Sequence, residues 1–278
     1  MRLGGPLFQK FEDPESWVAA VKDAGYGAAF CPIGPEADDD TVAAHVNAAE
    51  QAGIVIAEVG AWSNPISPDD GERKAAIDKC VQMLDLADHV GARCCVNIAG
   101  ARGEKWDGPD ADNFSADTFD LIVKTVQHII DEVKPTRTYY ALEMMPWVPP
   151  DSTESYLGLI DAIDRKQFGV HVDPVNIVNS PYRYYATGQM IRELFGKLGK
   201  HVRSCHAKDI TIGQGLTLHL DETRPGLGNL DYAAYLRELS KLDPDTTLML
   251  EHLPNEAEYR LAADHIRQVA TEEGIDLT

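Results

Sequence analysis

Short, almost unbroken apolar runs alternate with longer stretches in which apolar residues return every three or four positions, and the alternation repeats eight times. The short runs cover residues 2–8, 27–33, 54–62, 93–100, 138–145, 168–173, 201–210 and 246–253. Their continuous hydrophobicity predicts strands buried on both faces, as in a parallel sheet covered by helices. The longer stretches, at 14–26, 39–53, 69–91, 115–133, 153–164, 188–199, 231–242 and 255–274, predict helices. Asp13 stands where the first helix needs an N-cap, with Pro14 behind it, and Gly53 and Gly91 stand where the next two must stop. Two segments fall outside the alternation. Residues 101–113 form a polar loop long enough to have a function, and residues 211–228, turning at Gly213 and Gly215, predict a small hairpin or lid inserted after the seventh strand.

Eight strand–helix units in 278 residues predict a (β/α)8 barrel forming one domain over residues 1–278. A doubly wound open sheet is the competing architecture. No GxGxxG follows the first strand and no phosphate loop occurs, so the barrel is preferred.

Composition narrows the function more than the fold. With 25 basic against 45 acidic residues the formal charge is −20, which repels a nucleic-acid backbone, so no nucleic-acid partner is expected. No apolar stretch approaches the roughly 18 residues that span a bilayer, and no membrane partner is expected. The opening MRLGGPLFQKF does not resemble a secretory signal, and the five cysteines lack disulfide-framework or metal-finger spacing; a cytoplasmic location is the expectation.

The candidate chemistry lies where the fifth to eighth strands end. Glu143, Asp173, His206 and Glu251 close these strands at separations of 30, 33 and 45 residues, against about 30 for one β/α unit. The widest gap holds the predicted hairpin. Period-two alternation turns all four side chains inward at the carboxyl end, where barrel active sites lie. Three carboxylates and an imidazole cannot cluster bare, and a divalent cation resolves their repulsion. Three oxygens and one nitrogen favour Mn²⁺, with Mg²⁺, Co²⁺ or Zn²⁺ as alternatives.

This pattern, with HxKD at 206–209 and PGLGNLDY at 225–232, resembles the sugar phosphate isomerase/epimerase superfamily of xylose isomerase-like TIM barrels, over essentially the whole chain. The group includes ketose 3-epimerases, hydroxypyruvate isomerases and inosose dehydratases. The resemblance implies one divalent metal, usually manganese, held by Glu143, Asp173, His206 and Glu251, with Glu143 and Glu251 as the proton-transferring pair. It also implies a small carbohydrate substrate and a homo-oligomer, dimer or tetramer. Two positions depart from the ketose epimerase pattern: Asn176 stands in place of a histidine and Ile212 in place of an arginine.

The reaction implied is isomerisation or epimerisation through an enediolate; the alternative is a lyase or dehydratase acting on a keto-sugar, keto-glycoside or inosose. A multi-zinc endonuclease would want more histidines and a basic groove. Further substrate contacts are expected from Asn176, Arg183, Lys208, His171, Asn97, Trp147 and Trp62, with Tyr182 and Tyr184 beside Arg183. For each of these a purely structural role, in packing or in a salt bridge, competes.

Overall fold

A computed structural model describes residues 1–278. Eight parallel strands close into a barrel: β1 (Arg2–Gly4), β2 (Ala28–Phe30), β3 (Val55–Gly60), β4 (Cys94–Asn97), β5 (Tyr140–Glu143), β6 (Phe168–Val172), β7 (Val202–Ala207) and, after a hairpin of β8 (Asp209–Ile212) and β9 (Leu220–Thr223), β10 (Thr247–Leu250). β10 pairs with both β1 and β7, which completes the ring and leaves no open edge.

The helices α1 (Pro14–Asp23), α2 (Asp39–Ala52), α3 (Asp70–Val90), α4 (Ala116–Val133), α5 (Thr153–Ile163), α6 (Pro181–Tyr184), α7 (Thr187–Leu198), α8 (Tyr232–Leu239) and α9 (Glu256–Glu272) follow the predicted positions, α6 being an extra single turn. A continuous apolar core joins strands and helices through residues such as Trp17, Leu84, Ile129, Tyr156, Ile191 and Leu236. No helix is long and apolar enough to cross a membrane.

The predicted stops hold for physical reasons. Asp13 accepts from the Ser16 amide while the Ser16 hydroxyl reaches back to the Asp13 amide, a reciprocal capping box. Gly53 and Gly91 end α2 and α3 at φ of 68° and 71°, the left-handed region that glycine enters without strain.

The run predicted as one strand over 201–210 is in fact broken at Lys208, and the hairpin begins at Asp209, not 211. Asp209 makes the break. Its carboxylate collects four backbone N–H groups, those of Ile210 at 2.8 Å, Leu230 at 2.9 Å, and Gly226 and Gly228 at 3.0 Å. Gly228 passes so close to this carboxylate that a Cβ there would collide with it and with the Ile210 carbonyl. Both halves of the HxKD and PGLGNLDY pattern therefore meet in one anchor that returns the hairpin to the barrel rim. From α8, Tyr232 and Tyr235 donate to the carbonyls of Lys208 and His206 and hold the end of β7 in place.

Asp209→Asn turns one oxygen into a donor facing two N–H groups, and each stranded buried donor costs about 1–3 kcal/mol. Urea denaturation should show a lowered midpoint, and limited proteolysis should cut first within 209–230; an unchanged midpoint would remove the anchor from the account.

Candidate metal centre and cleft

His206 is the hub of the barrel mouth. Its Nδ1 lies 3.0 Å from Glu143 Oε1, 2.9 Å from Glu251 Oε1 and 4.0 Å from Asp173 Oδ2. One ligand atom from each of these four residues falls within 4.8 Å of all the others, a grouping that can hold a divalent metal ion. Strand register brings this about: His206 is level with Met249 of β10, two residues before Glu251, and Glu143 is level with His171, two before Asp173.

The donors have spare capacity where an ion would sit. Asp173 commits Oδ1 to the amides of Val175 and Asn176, at 3.0 and 3.3 Å, across the turn that Pro174 begins. Its buried Oδ2 and the buried Glu251 Oε1 accept no hydrogen bond. The Lys208 ammonium is 2.6 and 2.9 Å from these two atoms, close enough for charge pairing but outside hydrogen-bond angles. Burial, and then the charges of Glu143 and Glu251, push the Asp173 carboxyl up to about 7 against the pull of Lys208. Burial works against the charged forms of His206 and Lys208, yet the surrounding carboxylates prevail and hold both pKa values well above the ordinary range. The cluster is short of positive charge, so its chemistry fits a divalent cation.

Beneath the four donors lies a second buried layer. Glu58 of β3 faces His206 Nε2 at 3.4 Å through one oxygen, and takes His171 Nε2 at 2.9 Å and the Ser204 hydroxyl through the other. Ser204 in turn lies 2.6 Å from the Thr247 hydroxyl. Burial opposes the charge on Glu58, but the two imidazoles outweigh it and hold its carboxyl far below the usual range. A metal ion at the four donors would displace the proton from His206 Nδ1, and an ionised Glu58 would keep the other on Nε2, the arrangement by which carboxylates orient metal-ligating histidines.

Above the donors opens a cleft of about 460 Å³. Glu143, Glu251, His206, Lys208, Asn176, Trp62 and Trp147 line it, among the residues named from the sequence. Asn176 is braced where a histidine was expected: its Nδ2 donates to Met144 O at 2.9 Å and Glu143 Oε1 at 3.2 Å, and its Oδ1 accepts from Lys208 at 3.1 Å.

Five residues named as contacts, Asn97, His171, Tyr182, Arg183 and Tyr184, do not line this cleft. Asn97 is fully buried, accepting from the Ser63 amide and donating to Cys80 of α3, because its side chain points outward to the helix layer like Cys95 and not into the barrel. His171 lies one layer down as the partner of Glu58. Arg183 donates to Ile177 O at 2.8 Å and, with Tyr182, borders a separate cavity, while Tyr184 is buried.

The cleft also contains residues that strand patterning did not single out. Lys105, Trp106 and Asp107 come from the loop at 101–113, Glu222 from the hairpin and His252 from the residue after Glu251. The length of both segments marked them as functional, but nothing in their spacing marked these residues. His252 holds a left-handed φ of 57°, a conformation that histidine tolerates better than bulkier residues. Glu58 stood near a strand end without a role until the fold placed it against His206.

The architecture and mouth define a β/α barrel with a candidate divalent-metal centre. The chain belongs to the Xylose isomerase-like TIM barrel family, whose model matches residues 18–269. No curated protein matches the sequence. Among solved structures the chain is similar to a D-psicose 3-epimerase from Clostridium cellulolyticum H10 bound to D-tagatose (14% identity, 97% of this chain and 99% of that one, TM-score 0.65). It is also similar to the probable 3-DHS dehydratase of petrobactin synthesis from Bacillus anthracis (17%, 96% and 98%, 0.70) and to a xylose isomerase-like barrel from Mycobacterium smegmatis in complex with magnesium (15%, 94% and 90%, 0.67). At these identities the likeness is one of fold.

A proton on Asp173 competes with a metal ion for the same oxygens, so ion binding should strengthen as pH rises through about 7. The sign for the metal-free protein is opposite. A carboxyl whose folded pKa is raised from 3.8 to about 7 favours folding below the lower value and progressively disfavours it as pH climbs to the upper one. The rise in Tm on adding Mn²⁺ should therefore grow between pH 5.5 and 8, as scanning calorimetry would show; a constant or shrinking increment would contradict the assignment.

Proposed function

We propose that the protein is a divalent-metal-dependent isomerase or epimerase of a sugar or related polyhydroxy carbonyl compound, with Glu143 and Glu251 transferring the proton. One observation carries this reading. Of the three carboxylates around His206, Glu143 and Glu251 line the cleft, whereas Asp173 is 0% exposed and does not reach it. Two carboxylates are thus available to a substrate and one is available only to an ion.

A divalent cation at this site, manganese by the donor set, supplies Lewis-acid polarisation of a carbonyl and its neighbouring hydroxyl, which acidifies the carbon between them. One glutamate takes that proton as a general base. The other, which enters the step as a carboxylic acid, gives up its proton, at the same carbon for epimerisation or at the former carbonyl carbon for isomerisation, and exchange with solvent resets the pair. Lys208, with its ammonium at the cleft wall beside Asp173 and Glu251, stabilises the negative charge that develops on substrate oxygen. Asn176 holds both Glu143 and Lys208 in position. The epimerase and dehydratase neighbours support an enzymatic role of this kind.

The width of the cleft supports a second outcome. The loop at 101–113 and the hairpin extend the cavity beyond the donors, with room for a substrate that carries a leaving group β to the acidified carbon. The same carbanion would then expel that group, and the enzyme would be a lyase or dehydratase. Product mass separates the two: retention of every atom for the isomerase, an unsaturated product for the lyase.

With manganese saturating, Glu143→Gln and Glu251→Gln should each lower solvent deuterium incorporation into substrate by about 10²–10⁴-fold. Asp173→Asn should mainly weaken metal binding, with activity recovered at high metal concentration. Undiminished deuterium incorporation in either glutamine variant rules out the proton-transfer pair.

A further inference from the structure

The Lys208 ammonium stands among the oxygens that a metal ion needs. It lies 2.6 Å from Asp173 Oδ2 and 2.9 Å from Glu251 Oε1, the two oxygens left without hydrogen bonds at the candidate centre. An ammonium and a divalent ion on the same oxygens repel strongly in a site this buried, so the ammonium has to leave when the ion enters. Its backbone does not follow, because Tyr232 donates to the Lys208 carbonyl at 2.8 Å and the Asp209 anchor begins at the next residue. The movement falls to the flexible four-carbon side chain.

Of the carboxylates that pair with Lys208, Glu222 alone stands outside the metal group, with Oε2 3.5 Å from Nζ. Asn176 Oδ1 also accepts from Lys208, but it carries no charge to receive a displaced cation. Glu222 lies directly opposite Ile210 in the hairpin, and Ile212 lies opposite Leu220, so these four share one face. The three apolar residues pack on the core, and Glu222 is the one charged side chain among them. Its Oε2 also lies 3.2 Å from His252 Nδ1, and His252 Nε2 lies 3.6 Å from Glu251 Oε2. Glu222 therefore meets both cationic neighbours of Glu251 from the hairpin side. Little else ties this side of the hairpin down: β8 and β9 pair with no strand but each other, and Leu216 at the tip is fully exposed.

We propose that Glu222 is a positioning residue that couples the metal centre to the hairpin. As a divalent ion takes up Asp173 and Glu251, Glu222 receives the displaced Lys208 ammonium, and the pair so formed holds the hairpin against the barrel mouth. Lys208 is then kept at the cleft wall, where it serves substrate oxygen, and no longer lies between the donors. The proposal rests on the metal dependence of the reading above and not on its proton-transfer pair.

Hydrogen exchange followed by mass spectrometry tests this on the full chain, with Mn²⁺ as the probe and bound ion counted by electron paramagnetic resonance. In the wild type, saturating Mn²⁺ should slow amide exchange in residues 209–223 by about fivefold or more beyond any slowing in the outer helices α1 and α2. Glu222→Gln should bind Mn²⁺ about tenfold more weakly and, once saturated, should lose that slowing, while Glu222→Asp should recover part of both. In a Lys208→Met background, Glu222→Gln should no longer alter Mn²⁺ affinity, because the charge it receives is gone. Hairpin exchange that ignores bound Mn²⁺, that slows equally in Glu222→Gln, or a Glu222→Gln effect on affinity that persists without Lys208 would overturn the proposal. Absence of bound Mn²⁺ overturns it together with the metal centre, whereas bound Mn²⁺ beside an indifferent hairpin overturns this proposal and leaves the centre standing.

Discussion

Repulsion among three carboxylates gathered around one imidazole is the constraint on which the mouth of this barrel depends. Asp173 is wholly buried and Glu143 nearly so, in a low-dielectric site where like charges a few ångströms apart repel strongly. Lys208 offsets part of that repulsion, while burial first and the charges of Glu143 and Glu251 second still raise the Asp173 carboxyl. Asp173 Oδ2 and Glu251 Oε1 are met by the charge of Lys208 but by no aligned hydrogen bond, which leaves their lone pairs free for an ion. The arrangement gains its sense from a cation that all four donors can share.

The scaffold makes such a cluster affordable by fixing it from outside. Register along β5, β6, β7 and β10 sets the height of each donor, Asp209 ties the hairpin to the end of β7, and α8 tyrosines hold the carbonyls of His206 and Lys208. Glu58 then faces Nε2 of the central imidazole and fixes its orientation. The chemistry assigned to Glu143 and Glu251 needs this rigidity, because a proton is transferred only over hydrogen-bond distances.

The barrel and its four donors could be read from the sequence because both rest on periodicity. Parallel strands buried on two faces leave continuous apolar runs, and a polar residue closing each of four successive runs stands out against them. Asp13, Gly53 and Gly91 were likewise readable, since caps depend on local backbone chemistry. What escaped depends on contacts between distant segments. Glu58 is 148 residues from the imidazole it orients, and within β3 it looks like any strand-end carboxylate. Trp106, Glu222 and His252 reach the cleft through loop paths that no period encodes. Arg183 shows the converse: it was expected as a substrate contact together with Tyr182 and Tyr184, but the turn of α6 carries it to a different cavity.

Two overlapping groups of potential ligands share His206, one with Glu143, Asp173 and Glu251, the other with Glu58 and His171. A crystal structure of the manganese-soaked protein, with the ion placed by its anomalous scattering, decides between them. The account predicts one ion per chain, contacted by His206 Nδ1 and by carboxylate oxygens of Glu143, Asp173 and Glu251, with Glu58 still facing Nε2. An ion on the Glu58 and His171 side, or none at the barrel mouth under saturating manganese, would contradict it.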